Sequence, residues 1–382
     1  MTKASKEGQR KAPILRFKGF TDDWEQRKLG NLFNERKERS TEGELLSVTL
    51  SNGVTKFSDL NKKDNSNIKS GNYKIVKRND IPYNSMRMWQ GASGVSSYDG
   101  IVSPAYTVLI PNKNSNSNFY AVLFKKKSIL NLFTRFSQGL TSDTWNLKYP
   151  ILKDINVPFT NLEEQKRIFK IFNVVNNLLA LYEKKKQLLT QLKQGIVNFL
   201  ITKNGPKPQL RFSGFNNNWE SKSFEKLLNY EQPTKYIVKK ADYISQGTPV
   251  LTANKSFVLG YTNETNVYQN IPAIIFDDFT LESKYVDFPF MVKSSAIKIL
   301  TSENSNLFFI YQLLNNQRFV QEGHSRHYIS VVQKKKVLVP SIQEQNKISD
   351  LIKQLEDNIE LNSNTIVLLK KLKEFLLQSM FL

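Results

Sequence analysis

Asp277, Glu282 and Lys284 place two carboxylates and an amine close together, the residue types of a metal-dependent nuclease centre. That chemistry needs acids on adjacent strands around a cation, and this spacing is too compressed to span two strands, so a surface turn is expected. His324 and His327 are the only histidines and there is no cysteine, which leaves no familiar ligand set for a transition metal. They flank Ser325 and Arg326 in a basic loop, where polar contact to nucleic acid is one reading and simple exposure the other. Gln90-Gly91-Ala92-Ser93-Gly94 lacks the Lys-Ser/Thr ending of a phosphate-binding loop and is expected to be a turn.

Asp80-Ile81-Pro82-Tyr83 comes near the Asp-Pro-Pro-Tyr motif of adenine methyltransferases, but Ile81 replaces a proline and no glycine-rich cofactor loop precedes it. No catalytic residue, cofactor or metal is therefore expected, and binding is the better account of the composition. The 382-residue chain carries a formal net charge of +21. The excess is uneven: +12 over residues 1–158, +5 over 159–203, +5 over 204–339 and −1 over 340–382. A surface this basic attracts a polyanion, and Lys and Arg contacts to phosphate supply most of the sequence-independent affinity for DNA or RNA. No apolar run approaches a membrane span and residues 1–11 lack the apolar centre of a signal peptide, so a cytoplasmic protein with no membrane partner is expected.

These groups must be held by elements, and the elements are written twice. LRFKGFTDDWE opens at Leu15 and LRFSGFNNNWE at Leu210, an offset of 195, whereas NLEEQKRI from Asn161 and SIQEQNKI from Ser341 are offset by 180. A duplicated unit has kept its edges while the material between changed length. Asn161 with Glu164 has capping-box spacing, and apolar residues then fall at Ile168, Ile171, Val175, Leu178, Tyr182, Leu189, Leu192, Ile196 and Phe199, interrupted by Lys184-Lys185-Lys186. This heptad predicts a helix from about Leu162 to about Lys203, stopped by Gly205-Pro206. Ser341 and Glu344 start a second helix, with Ile348, Leu351, Leu355, Ile359, Ile366, Leu369, Leu372 and Leu376 on its seam and Asn362-Ser363-Asn364 interrupting it. Matched caps, lengths and interruptions predict that the two helices pair antiparallel. Between the edges, GNYKIVKRNDIPYN, GIVSPAYTVLIP and NFYAVLF, then IPAIIFDD, YVDFPFMV and SSAIKIL, are aromatic and β-branched runs that predict strands. SILNLFTRFSQG and NLFFIYQLLNNQRF are helix-like, so each block is expected to be an α/β globule.

This combination resembles the specificity subunit of type I restriction–modification systems. The resemblance covers essentially the whole chain. It rests on the Arg-Phe-x-Gly-Phe-x-x-x-Trp-Glu opening before each block and on the loops SQGLTSDTWNL and EGHSRHYIS, each followed by a short apolar strand. It rests also on Pro158 or Pro340 leading into Glu164-Gln165 or Glu344-Gln345 and a long helix. The second block departs from the family at His324-Ser325 after Gly323, where small hydroxyl residues are usual. The resemblance implies an α/β fold with two target-recognition domains, residues 1–158 and 205–339, each followed by a spacer helix, 159–204 and 340–382, the helices pairing as an antiparallel coiled coil. It further implies that the chain is non-catalytic and that each domain reads one half of an asymmetric bipartite target in double-stranded DNA. The helices would set the spacing and dock two modification (methyltransferase) subunits, joined by restriction (translocase and nuclease) subunits. Base-edge readout needs polar side chains on loops. The candidates are Arg87, Gln90 and Ser93 in the first block, and Asn254, Lys255, His324, Arg326 and His327 in the second. The alternatives are a stand-alone two-module DNA- or RNA-binding regulator and a structural adaptor with incidental charge. The duplicated long helices argue against the regulator, which needs no surface for large partners.

Overall fold

A computed structural model describes residues 11–60, 68, 71–201, 205, 207–240, 242–254, 256–317, 319 and 328–382. Contacts divide the chain into two compact units, Met1–Glu183 with Asn364–Leu382, and Lys184–Ser363. The elements of the first block are β1 (Glu25–Lys28), β2 (Phe33–Glu35), β3 (Arg39–Ser40), β4 (Leu46–Thr49), β5 (Gly53–Lys56), β6 (Tyr73–Val76), β7 (Ile81–Asn84), β8 (Gly100–Val102), β9 (Tyr106–Pro111), α1 (Ser117–Leu123), α2 (Lys127–Phe136), α3 (Tyr149–Leu152) and β10 (Asn156–Phe159). The long helix α4 (Leu162–Leu200) follows. The second block holds β11 (Glu220–Ser223), α5 (Phe224–Leu227), β12 (Asn229–Glu231), β13 (Thr248–Leu251), β14 (Val258–Thr262), β15 (Ala273–Asp277), β16 (Ser283–Val286), β17 (Met291–Val292), β18 (Ile297–Thr301), α6 (Leu307–Asn315) and β19 (Lys336–Val339), and α7 (Ile342–Ser379) ends the chain.

Each block is closed by its own edges. β1 pairs antiparallel with β10, Glu25 opposite Phe159, and β11 pairs antiparallel with β19, Glu220 opposite Val339. Inside, the sheets run β2-β9-β7 and β3-β6-β8 in the first block, β12-β18-β15-β16 and β14-β13-β17 in the second. Two expectations change here. NFYAVLF is not a strand but α1: Asn116 caps it by accepting from the Phe119 N–H at 3.0 Å, and Phe119, Tyr120 and Leu123 are buried together on one helical face. Asp277 does cap a turn, accepting from the Phe279 and Thr280 N–H groups at 2.9 Å each, yet that turn joins the neighbouring strands β15 and β16. A side-chain-capped hairpin needs few residues, which is why so compressed a segment still spans two strands.

The repeated phrase is explained by a hub at the start of each long helix. Glu164 is buried and accepts two hydrogen bonds from Arg16, 2.7 and 2.9 Å, one from the Trp24 indole at 3.1 Å and one from the Thr160 hydroxyl. Glu344 accepts the same fork from Arg211, both contacts at 2.8 Å, but among the described residues the Trp219 indole has no acceptor. The neighbouring glutamines do a second job. Gln165 accepts from the Asn116 N–H at 2.8 Å and Gln345 from the Asn306 N–H at 2.9 Å, so each clamps the cap of α1 or α6 to the long helix. Asn161 accepts from the Glu164 N–H at 2.9 Å as a cap should, but the glutamate's carboxylate goes to the arginine instead of returning the capping bond. Phe20 and Phe215 follow glycines with φ of +97° and +92° and lie under Arg167 and Lys347, with 5.4 and 5.3 Å to the ring centres.

In each unit the halves of α4 and α7 run in opposite directions. In the first, Phe172 meets Phe381 with ring centres 5.7 Å apart and Glu183 pairs with Lys370 at 3.3 Å. In the second, Lys193 pairs with Glu356, and Val197, Leu200 and Ile201 share a core with Ile348 and Ile352. The seam keeps Ile168 and Val175, buried as the heptad expects, but elsewhere on α4 it lies one position further on: Phe172, Leu179, Val197 and Leu200 are buried, while Leu192 and Phe199 are 51% and 50% exposed, and Leu372 on α7 is 43% exposed. The long helix must hold one phase, fixed by Phe172 at one end and Leu200 at the other, so Lys193 turns inward to Glu356 and Leu192 turns out. The opening phrases sit on helix ends in the same way, since the Leu15 N–H donates to the Ser379 carbonyl at 2.8 Å and the Leu210 N–H to that of Phe199 at 3.0 Å.

Candidate nucleic-acid interface

The first block presents two loops that brace each other. After β7 the chain turns through Asn84, whose carbonyl accepts from the Arg87 N–H at 2.9 Å and whose side chain accepts from the Met86 N–H at 3.0 Å. It then makes a short 3-10 turn over Met88–Gln90 and leaves through Gly91, φ +88°. Across from it, residues 137–147 form a hairpin-like loop in which Gln138 and Asn146 exchange backbone hydrogen bonds of 3.0 and 2.8 Å. Gly139 is required there, because a Cβ would lie 2.6 Å from the Thr144 carbonyl oxygen. Trp89 meets Trp145 edge to face at 5.3 Å, and the Tyr83 hydroxyl donates to the Leu147 carbonyl at 3.0 Å, locking one loop on the other.

On this braced surface Gln90 is exposed and Arg87 half-buried, and Arg87 forms no ion pair among the described residues. Ser93 lies elsewhere: it is buried, its hydroxyl has no partner among the described residues, and the Lys125 ammonium donates to its carbonyl at 3.1 Å. Leu140, at the tip of the second loop, is wholly exposed, a feature the sequence reading passed over because one leucine in a polar loop carries no periodic signal. In the second block Asn254 is exposed and accepts from the Ser256 N–H at 3.3 Å. Lys255, His324, Arg326 and His327 lie outside the described residues. Their described neighbour Tyr328 is anchored, its N–H donating to the buried Asp278 carboxylate at 2.8 Å while its ring stacks on Tyr230 at 5.4 Å.

The weak catalytic motifs are absorbed by structure. Asp80 takes a fork from Arg36, 2.7 and 3.2 Å, and the Lys77 N–H at 2.8 Å, which leaves its carboxylate no free role. That hydrogen bond pushes the Arg36 guanidinium further above its ordinary value. Tyr83, in the same motif, is buried, and burial pushes its phenol well up. Gln90–Gly94 is a turn, as its sequence suggests. Among the described residues no group of three or more His, Asp or Glu could hold a metal ion, and no helix is long and apolar enough to cross a membrane.

Residues 21–191 and 216–371 match the family described as type I restriction modification DNA specificity domain. The chain is 50% identical to the specificity subunit of the type I restriction enzyme EcoR124I/EcoR124II of Escherichia coli over 123 residues, 30% of this chain and 30% of that protein. It is 24% identical to the putative type I restriction enzyme MjaX specificity subunit of Methanocaldococcus jannaschii over 297 residues, 70% of this chain and 68% of the other. The first of these matches thus spans under a third of the relative's length. In fold the chain is similar to the S subunit of a type I restriction–modification system from M. genitalium, with a TM-score of 0.64 and 16% identity over 97% of this chain and 99% of that one.

Proposed function

The chain belongs to the family of type I restriction–modification DNA specificity proteins, and from that premise we propose that it is the DNA-recognition subunit of such a system, each block reading one half of a split target. The observation that carries this is a frame built twice around unlike blocks: Glu164 takes a fork from Arg16 and Glu344 the same fork from Arg211, the equivalent arginines of the two phrases, while the blocks between these edges differ in length and sequence. Unlike blocks read unlike half-sites, so the target is asymmetric. Arg87 and Gln90 supply donors suited to guanine and adenine edges or to phosphate, and Asn254, Lys255, His324, Arg326 and His327 supply them in the second block.

In this reading α4 and α7 set the distance between half-sites and dock two modification subunits, which bring the methyl-transfer chemistry. Restriction subunits add translocation and cleavage, the chain itself is non-catalytic, and the complex works in the cytoplasm. Support for docking comes from the outer faces of the helices. On α4, Val174, Leu181, Leu188, Leu192 and Phe199 are each at least half exposed and recur at steps of seven and four, and on α7 Leu361, Leu368, Leu372 and Phe375 follow at steps of seven, four and three, at 43% exposure or more. Apolar stripes outside the seam, on a chain otherwise so basic, suit a protein partner and not a phosphate backbone.

The test is to co-express the chain with a modification subunit, purify the complex and map base methylation on DNA exposed to it. A bipartite, asymmetric methylated motif is expected. A stand-alone regulator would give no stable complex, and a complex that forms but methylates without sequence preference would end the recognition reading.

A further inference from the structure

Within the first unit a cavity of about 550 Å³ lies between the first block and the paired helices. Its walls come from the 50–53 turn, the 93–97 loop, α1, α4 and α7. Two lysines reach it: Lys125, from the link between α1 and α2, and Lys373 from α7. The Lys125 ammonium donates to the carbonyls of Gly91 and Ser93. Lys373 has no hydrogen bond or ion pair among the described residues, although it occupies the inward position that Leu372 vacates. Asn118, Asn173 and Asn176 line the same cavity, and among the described residues no carboxylate does.

Two ammonium groups sharing a cavity repel, and burial removes the water that would screen them. Burial pushes both below the usual lysine range, Lys125 to about 8 with the Lys373 charge adding to the effect. An apolar or acidic residue at position 373 would relieve this, and so would a bound anion. We propose that this cavity binds a phosphoryl group, held between Lys125 and Lys373 with the amides of Asn118, Asn173 and Asn176 as further donors. A phosphoryl group matches the site in charge and in its several outward oxygens, each able to accept a charge-assisted hydrogen bond. A free phosphate monoester and a DNA backbone phosphate share that chemistry. The inference stands apart from half-site readout, since of the reading candidates only the buried Ser93 lines the cavity.

The experiment titrates the full chain with inorganic phosphate, with adenosine monophosphate and with a duplex lacking terminal phosphates, following heat release and thermal unfolding. Lys373→Met and Lys373→Gln are the deciding variants, because Lys125→Met also loosens the 91–93 loop. Both variants are expected to unfold at or above the wild-type temperature in phosphate-free buffer and to bind phosphate or the nucleotide about tenfold or more weakly. If only the duplex binds, and the variants weaken it by the same factor, the phosphoryl group is the DNA backbone's and the site stands. If all three probes act on wild type and variants alike, or none binds the wild type, the proposal is overturned. Sequence-specific methylation would survive that outcome, so the two readings fail separately.

Discussion

Replacing Glu164 by glutamine keeps the size of the side chain but removes the charge on which Arg16 closes, and turns an amide toward the Trp24 indole or the Thr160 hydroxyl. Breaking a buried pair in this way should cost about 3 kcal/mol in urea unfolding, and Glu344→Gln should cost nearly as much through Arg211. The tryptophans separate the two hubs. Trp24→Phe loses an indole hydrogen bond, whereas Trp219→Phe removes a donor that has no acceptor among the described residues, so the first should be the more destabilising by about 1 kcal/mol. Lys125 gives the pH dependence. Its folded value of about 8 lies below the ordinary 10.5, so between those two values the unfolded chain holds more protons and stability rises with pH. Unfolding measured across that window in phosphate-free buffer should show the rise in wild type and a shallower one in Lys125→Met.

At the scale of the element, the long helices show what a sequence pattern can and cannot fix. Their limits were legible from caps and stops, the observed Leu162–Leu200 ending three residues before the expected Lys203. Their phase was not, because α4 carries apolar residues at both candidate positions, Ile171 beside Phe172 and Leu178 beside Leu179. Only packing against Phe381 and against the second core chooses between the stripes: Ile171 and Leu178 are left half-buried at the flank of the first core, and Leu192 and Phe199 are left exposed. Leu188→Asp, on the exposed stripe with Val174 and Leu181, should change the stability of the chain by no more than about 1 kcal/mol yet abolish co-purification with a modification subunit. Length is a separate lever. Four residues added after Leu192 lengthen the helix by about 6 Å while nearly keeping its phase, and should widen the unread gap by one or two base pairs at about 3.4 Å each. Two added residues turn the seam by roughly 200° and should prevent assembly. A methylation map with an unchanged gap and full activity would show that these helices do not set the spacing.

For the whole molecule, the repeated frame predicts separable blocks. Exchanging residues 14–158 for the matching block of a relative should change one half of the methylated target and leave the other, and a change in both would refute independent readout. The frame was legible in the sequence because Arg16, Trp24 and Glu164 are needed in one place at a fixed geometry, so their spacing to the block edges could not drift. The loops were less so: Arg87 and Gln90 do emerge on the braced surface, but Ser93 is buried, because a turn residue shows its side only once the strands beneath it are placed. The grip of each opening phrase on a helix end has a topological consequence. Leu15 rests on Ser379 as Leu210 rests on Phe199, so the end of α7 hands over to the first phrase just as the end of α4 hands over to the second. A gene permuted to begin at the second phrase, with α7 joined to the first, would meet the same contacts in the same cyclic order.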